Sequence, residues 1–600
     1  MLGNRRLEHF DFCIIGSGAG GGTAAHVLTA AGKNVLVLEA GGNAFPKLDR
    51  AGDLHLPLHS NDELKYSIRN YIQQDDFLEP RVFRTTTASD GALSGDVNVL
   101  PKAVGGAFQH ADAKTPRFNK VDFRLKSAFA ELAGRGVLIP GFNDGVPANF
   151  TDWPFSYDDL EPFYVEAEDL YGVQGKDGDN VFESTRSRPY PMPPGVPMYL
   201  ALVLADGARQ VELPGYGALQ PHAYPAAINS RPRDGREPCV DCGLCSGFGC
   251  PNNSKGSPAV TTLRRALLTG RCQVRFNAMV TRLVNDGGHV SAVEYVDSNG
   301  HPQMAVADAF ILAASPIESA RLCFLSPTPS GAALGNSSGQ VGQNLMFHLQ
   351  TNVNGFLPQR VHGQRGRAVT HGISDFRGVE PGGDQIRVFT IDGQQRVALG
   401  GICEFGGSQG QPITEDYFAY TAIGIRFGQT LKNALRDLPL GQHLFGLTMQ
   451  AEDAPQRTNF VDLDTRYRDV YGLPVARVTY KNHVYELATR RFYTPLLQQV
   501  VAKAGAPDDQ IFLTPCQSFA VGPPTSRHIM GTLRMGNDAT QSVVSGDAGG
   551  KKLGQFHDVD NLFATDGSVF PTSSGYNPTL TIIAVALKIA HGLAGTAPGT

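Results

Sequence analysis

Long apolar runs are missing from this 600-residue chain. The longest near the C-terminus, Leu580 to Leu587, is interrupted by Thr581. A bilayer needs roughly 20 consecutive apolar residues, so no membrane segment is expected. Arg5 and Arg6 stand near the N-terminus, but no apolar stretch of signal-peptide length follows them. A cytoplasmic location is therefore expected. An excess of one charge is also missing. Lys and Arg total 52 against 57 Asp and Glu, which leaves a net charge of −5 with no long basic run. Nucleic acid and anionic membrane surfaces are not expected partners. There is no internal repeat and no low-complexity tail. What remains is 41% hydrophobic and 18% charged, ordinary for a soluble globular protein. The length allows a large buried core or more than one.

Glycine is abundant, at 69 residues, so many tight turns are expected. The informative ones are near the start. Residues 11–16 (DFCIIG) read as an apolar strand, 22–31 as a small-residue helix closed by Gly32, and 34–39 (NVLVLE) as a second strand. The turn between strand and helix carries Gly16, Gly18 and Gly21 in a G-x-G-x-x-G pattern. In that context the three glycines have separate tasks. Gly16 permits a tight turn, Gly18 lets a pyrophosphate approach the backbone, and Gly21 lets helix and strand pack closely. The phosphates would rest on free N–H groups at the helix N-terminus. Glu39, ending the second strand, would accept hydrogen bonds from ribose hydroxyls. A dinucleotide follows, but this unit alone does not choose between FAD and NAD.

The other end of the chain chooses. Residues 528–536 read HIMGTLRMG, and GYNPTLT follows at 575–581. With GSGAGGG, VGGAFQH, DAFILAASPIESARL and VGQNLMFH, these segments run along nearly the whole chain. Together they resemble the glucose–methanol–choline (GMC) family of FAD oxidoreductases, and within it the sugar-oxidising branches: pyranose oxidases, C-glycoside 3-oxidases and gluconate-type dehydrogenases. The resemblance implies that His528 is the base near flavin N5, removing a hydroxyl proton as hydride leaves the same carbon. An imidazole titrates near neutral pH and suits that task. Asn577 is implied as its partner, a neutral donor to the developing alkoxide. Asn577 also precedes Pro578, where an Asn is a good helix cap. Asp566 and Gly567 fall at the ribityl chain. Pro578 and Thr579 open a helix aimed at the flavin pyrimidine. Gly105 and Gly106 belong to a second flavin-contacting loop, and Val280 to the adenine edge. His110 stands where pyranose oxidases attach FAD covalently, but the following aromatic residue is replaced by Ala111. Non-covalent FAD is therefore expected. Ser315 replaces the Gly usual before the Pro-Ile step.

Nine cysteines are present, five of them scattered (Cys13, Cys272, Cys323, Cys403, Cys516), as small buried apolar residues would be. The other four, Cys239, Cys242, Cys245 and Cys250, form C-x2-C-x2-C-x4-C. Thiolates so spaced suit either an iron–sulfur cluster or zinc, or the segment is a loop of reduced thiols. A cluster would favour a dehydrogenase passing electrons to a partner. Without one, O2 or a quinone is the acceptor.

The implied fold is α/β (α+β overall). A Rossmann-like FAD-binding domain is expected from 1–125, 228–345 and 520–600. A substrate-binding domain on a mainly antiparallel sheet with helices is expected from 126–227 and 346–519. Helix 156–173 would be capped by Ser156. The expected activity is oxidation of a CH–OH group of a sugar or glycoside to a ketone. A non-redox FAD lyase on the same scaffold is the alternative. Polar and aromatic residues of 350–450 (His362, His371, Phe376, Phe405, Tyr417, Tyr420) would line the substrate pocket. A homo-oligomer is among the assemblies expected.

Overall fold

The computed structural model describes residues 8–51, 78–94, 101–246, 248–363, 365–406, 420–421, 424–437, 439–513, 524 and 526–599. Cys516 and Tyr417 lie outside these residues.

The N-terminal unit forms as its pattern dictates. The strand His9–Ile15 leads into the helix Ala19–Ala30, and the strand Val35–Leu38 returns parallel to the first. Gly32, at φ +83°, follows the helix, and the Lys33 N–H reaches back to the Leu28 carbonyl. That is the left-handed glycine stop expected of a small-residue helix. These strands lie at the centre of a seven-stranded sheet. Cys272–Arg275 joins on one side and Pro302–Leu312 on the other, both parallel. The long strand Pro302–Leu312 is shared. Its start pairs antiparallel with Val290–Val296, which pairs with Met279–Asn285, while its end pairs parallel with Leu562–Ala564. The C-terminal segment is thereby seated one strand away from the first, more than 500 residues distant in sequence.

A second sheet is wholly antiparallel. Its order is Ile511–Leu513, His348–Phe356, Leu444–Glu452, Cys403–Gly406, Val369–Ile373, Pro221–Ala223. Strand side chains alternate between faces. Leu349, Val353, Cys403, Phe405, Leu447 and Met449 point to one side, into a core shared with the helices Tyr199–Ala208 and Val484–Lys503. Phe376 and Phe405, expected in the substrate pocket, are fully buried in that core. Alternation along Cys403–Gly406 puts Phe405 beneath the sheet, and the short turn Asp375–Arg377 puts Phe376 there. The other face carries His348, Gln350, Asn352, Glu404, Thr448 and Gln450, polar at the His348 end, with Phe356 and Phe512 stacked at the far end.

The helix Tyr157–Tyr171 begins at Ser156, whose hydroxyl accepts from the Asp159 N–H, and stops at Gly172 (φ +68°). It packs on the last helix, Thr579–Ala594, which also packs on Ala19–Ala30.

One fully buried cation joins the layers. Arg377 donates to Asp122 and, at 3.2 Å, to Glu452, with none of the three side chains exposed. Asp122 also accepts from Ser574 at 2.7 Å, beside the C-terminal active segment. Burial pushes the Glu452 carboxyl up to about 7 despite Arg377. Removing the guanidinium would strand two buried acids. Arg377→Met is expected to lower unfolding free energy by about 3–5 kcal/mol. Urea denaturation of the purified protein measures this, and a loss below about 1 kcal/mol contradicts the role.

Candidate active site

One elongated cavity connects the sites suggested by the sequence. Gly16, Gly18, Glu39, Met279 and Val280 line one end, and His528, Pro578 and Thr579 the other, with Gly106, Asp566 and Gly567 between. Two long helices open on it, Ala19–Ala30 and Thr579–Ala594. Neither has a side-chain cap or an acidic residue in its first turn. Their first-turn N–H groups thus face the cavity with side-chain acceptors lacking, as suits an anionic or electron-rich ligand.

The glycines divide their work as the spacing suggests. At Gly16, φ is +101°, and an added Cβ would lie 2.3 Å from the Ala313 carbonyl oxygen. At Gly21 it would lie 2.0 Å from the Gly16 oxygen. At Gly18 the nearest atom, Gly106 Cα, is 3.8 Å away, so no protein contact demands glycine there. The space beside Gly18 is cavity, a cradle that a Cβ would partly fill. Gly20 is a further close approach, 2.3 Å from the Thr565 oxygen. A Cβ on Gly106 would lie 2.7 Å from Gly18 Cα, and the Gly105 N–H donates to Ser17 Oγ at 3.0 Å.

Glu39 is held from both sides. It accepts from the Ser17 N–H (3.0 Å), the Ser17 hydroxyl (2.6 Å) and the Gly41 N–H (2.8 Å). Burial pushes its carboxyl up, and these donors oppose the shift. Asp566 accepts from Ser319 Oγ (2.6 Å) and the Ser568 N–H (2.9 Å). Ser315 has φ +74° and ψ 152°, a conformation that favours glycine. The Ser therefore holds backbone strain at the cavity wall, where the family pattern has Gly. Ala107, Phe108 and Ala111 line the cavity, whereas His110 is not among its lining residues.

His528 sits in a chain of hydrogen bonds whose directions can be worked out. Its Nδ1 is 2.9 Å from His348 Nδ1, and His348 Nε2 is 3.3 Å from the Ser573 carbonyl oxygen. A carbonyl only accepts, so His348 Nε2 carries a proton. Burial pushes His348 down to about 4, so it is neutral and its Nδ1 is bare. His528 Nδ1 must then donate. Burial, with His348 and Lys114, holds His528 well below its usual value. It too is neutral, and its Nε2 is left with a free lone pair.

Asn577 faces that lone pair. Its Nδ2 lies 3.3 Å from His528 Nε2 and donates to Glu404 Oε1 at 2.9 Å, while its Oδ1 accepts from the Tyr224 hydroxyl. The helix cap position is Pro578, which has no side-chain cap bond, so Asn577 is not serving as the cap. Glu404 is anchored in turn by Lys114 (2.6 Å), which also meets Asp112 at 2.9 Å. Burial would lower the Lys114 ammonium, but these two acids hold it above its usual value. Sequence reasoning missed His348, Glu404, Lys114 and Tyr224. The one visible signal was a Glu between Cys403 and Phe405 in an otherwise apolar strand.

The four clustered cysteines line one small cavity with Lys255. All are free thiols. Burial pushes Cys239 up to about 12 and Cys245 up to about 11. Among the described residues no three His, Cys, Asp or Glu side chains converge as a metal would require. The arrangement does not fit a cluster, and no step is derived through one. No helix among the described residues is long and apolar enough to cross a membrane.

Comparison with known proteins gives the family. Models of the GMC oxidoreductase family match residues 222–350 and 455–586. The chain is 29% identical over 595 residues to a 2-methyl-1,2-propanediol dehydrogenase from Mycolicibacterium austroafricanum, covering 97% of this chain and 94% of that protein. It is 27% identical to a gluconate 2-dehydrogenase flavoprotein from Pantoea cypripedii, covering 96% and 91%. Identity is also 27% with a 6'''-hydroxyparomomycin C oxidase from Streptomyces lividus, covering 98% and 91%. Among solved structures, pyridoxine 4-oxidase from Mesorbium loti superposes with a TM-score of 0.58 at 16% identity, covering 98% and 99%, which shows the shared fold. The chain is an FAD-dependent oxidoreductase and belongs to the GMC oxidoreductase family.

Proposed function

We propose that this enzyme oxidises a CH–OH group of a sugar or related polyol, with His528 as the base. The observation that carries the reading is the bare Nε2 of His528 facing the Asn577 amide at the end of the cofactor cavity. When bound, FAD supplies the hydride acceptor. The substrate oxygen would lie between His528 Nε2 and Asn577 Nδ2. His528 takes its proton, and the amide donates to the oxygen as negative charge builds. His348 keeps the bare nitrogen on the substrate side.

Gly16, Gly18, Gly106 and the Ala19 helix end would hold the pyrophosphate, Glu39 the ribose, Met279 and Val280 the adenine. Asp566, Gly567, Pro578 and Thr579 would hold the flavin end. Attachment is non-covalent in this reading, supported by His110 lying outside the cavity lining. The polar sheet face next to His348 supports a polyhydroxylated substrate. Gln350 donates to Gln450 at 3.2 Å and Thr448 to Asn352 at 2.6 Å, leaving a surface rich in both donors and acceptors. The electrons pass to O2 or a quinone.

Anaerobic mixing with a panel of sugars, glycosides and simple alcohols should bleach the flavin. Because His528 is already neutral well below pH 6.5, the reduction rate should stay flat from pH 6 to 9. His528→Ala should keep FAD and slow reduction by about 10²–10⁴-fold. An acid limb near pH 6.5 contradicts the assignment of the base, as does normal reduction in the variant. A flavin that stays oxidised during turnover would point to the lyase.

The glycines give a separate prediction. Gly18→Ala should fold with unchanged thermal stability yet bind FAD more than about tenfold more weakly, a loss of about 1.4 kcal/mol. Gly20→Ala should lower the melting temperature of the apoprotein itself. Flavin titration and calorimetry distinguish them, and equal effects on folding contradict the cavity role of Gly18.

A further inference from the structure

We infer that Glu404 is a positioning residue that fixes which end of the Asn577 amide faces His528 and the substrate oxygen. The inference rests on the proposed role of His528 and deepens it. An amide offers a donor and an acceptor of nearly equal shape, and nothing in its outline chooses between them. The neighbours must choose. Glu404 Oε1 lies 2.9 Å from Asn577 Nδ2, and a carboxylate can only accept. The Tyr224 hydroxyl, on Asn577 Oδ1, is indifferent, because it can donate or accept. Two acceptors therefore break the tie, the bare Nε2 of His528 at 3.3 Å and, nearer and charged, Glu404 at 2.9 Å, which keeps doing so when substrate oxygen occupies the His528 side. The other Glu404 oxygen is tied to Lys114 at 2.6 Å and to Gln450 at 3.4 Å, so the carboxylate cannot swing away. The side chain is 2% exposed, which excludes competing water.

With the donor inward, Asn577 faces the bare Nε2 of His528 favourably and can stabilise an alkoxide. With the acceptor inward, two lone pairs would face each other. His528 would then gain by taking a proton, and an imidazolium cannot act as the base.

Glu404→Gln tests this because it keeps shape but reverses one bond. The new amide would keep its oxygen toward Lys114 and turn its N–H groups toward Asn577, which must then present Oδ1. Holoenzyme flavin reduction by the best substrate is measured by stopped flow across pH 5 to 9. FAD content is measured alongside. The expected result is a rate at least about tenfold lower at pH 7, with an acid limb moved up toward neutrality and FAD content unchanged. In an Asn577→Ala background the same substitution should have no further effect, because Glu404 acts only through Asn577. Tyr224→Phe, which removes a bond without reversing one, should cost less and leave the acid limb in place. An unmoved pH profile overturns the inference, as do effects that multiply in the double variant. If Asn577→Ala alone leaves reduction untouched, the base-and-amide reading fails along with it. If Asn577→Ala slows reduction but Glu404→Gln does not, only the positioning role fails.

Discussion

A backbone carbonyl can accept a hydrogen bond and never give one, and the reactive end of this molecule is ordered by that fact. The Ser573 carbonyl sets the proton on His348, His348 sets the proton on His528, and the free lone pair of His528 ends up on the substrate side. Each imidazole has two tautomers, but once both are neutral only one pair satisfies the chain. Burial makes them neutral. The carboxylate of Glu404 constrains the facing amide in the same one-way manner.

The fold exists to bring these groups together. Ser573, Asn577 and His528 come from the C-terminal segment, which is carried back to the parallel sheet by the pairing of Leu562–Ala564 with the strand Pro302–Leu312. His348 and Glu404 come from the polar face of the second sheet, whose opposite face is anchored in an apolar core. Alternation along each strand thus separates packing from chemistry. Arg377, between Asp122 and Glu452, ties that sheet to the loop beside Ser574. The cofactor cavity runs from the glycine turn to His528 and the start of the last helix, and the second sheet reaches it through the His348–His528 hydrogen bond.

Much of the cofactor half was legible in the sequence because its constraints are local. Gly16 is required by its φ of +101°, and Gly21 by the Gly16 carbonyl oxygen that a Cβ would meet at 2.0 Å, both within one strand–turn–helix, and such requirements leave a spacing. His528 and Asn577 sit in compact motifs. The helix ends at Gly32 and Ser156 followed from capping chemistry alone. The substrate half was less legible. Glu404, Lys114 and Tyr224 meet through strand pairing across hundreds of residues, and no local pattern records that register. Phe405 was misplaced because residue type was read without knowing which face its strand buries, and Phe376 because the short turn that carries it beneath the sheet leaves no pattern. Asn577 has two plausible roles in the sequence, and only the position of Pro578 at the cap separates them. The cysteine spacing left a cluster, zinc or reduced thiols open; the four cysteines share a small cavity, and among the described residues no three metal-ligating side chains group as a metal would require.

The central claim is a proton location, and nitrogen NMR reads it directly. Holoenzyme labelled with ¹⁵N-histidine, with His528 and His348 assigned by single substitutions, should show His528 protonated on Nδ1 and bare on Nε2 throughout pH 6 to 9, and His348 protonated on Nε2. A His528 protonated on Nε2, or doubly protonated near pH 7, would contradict the account.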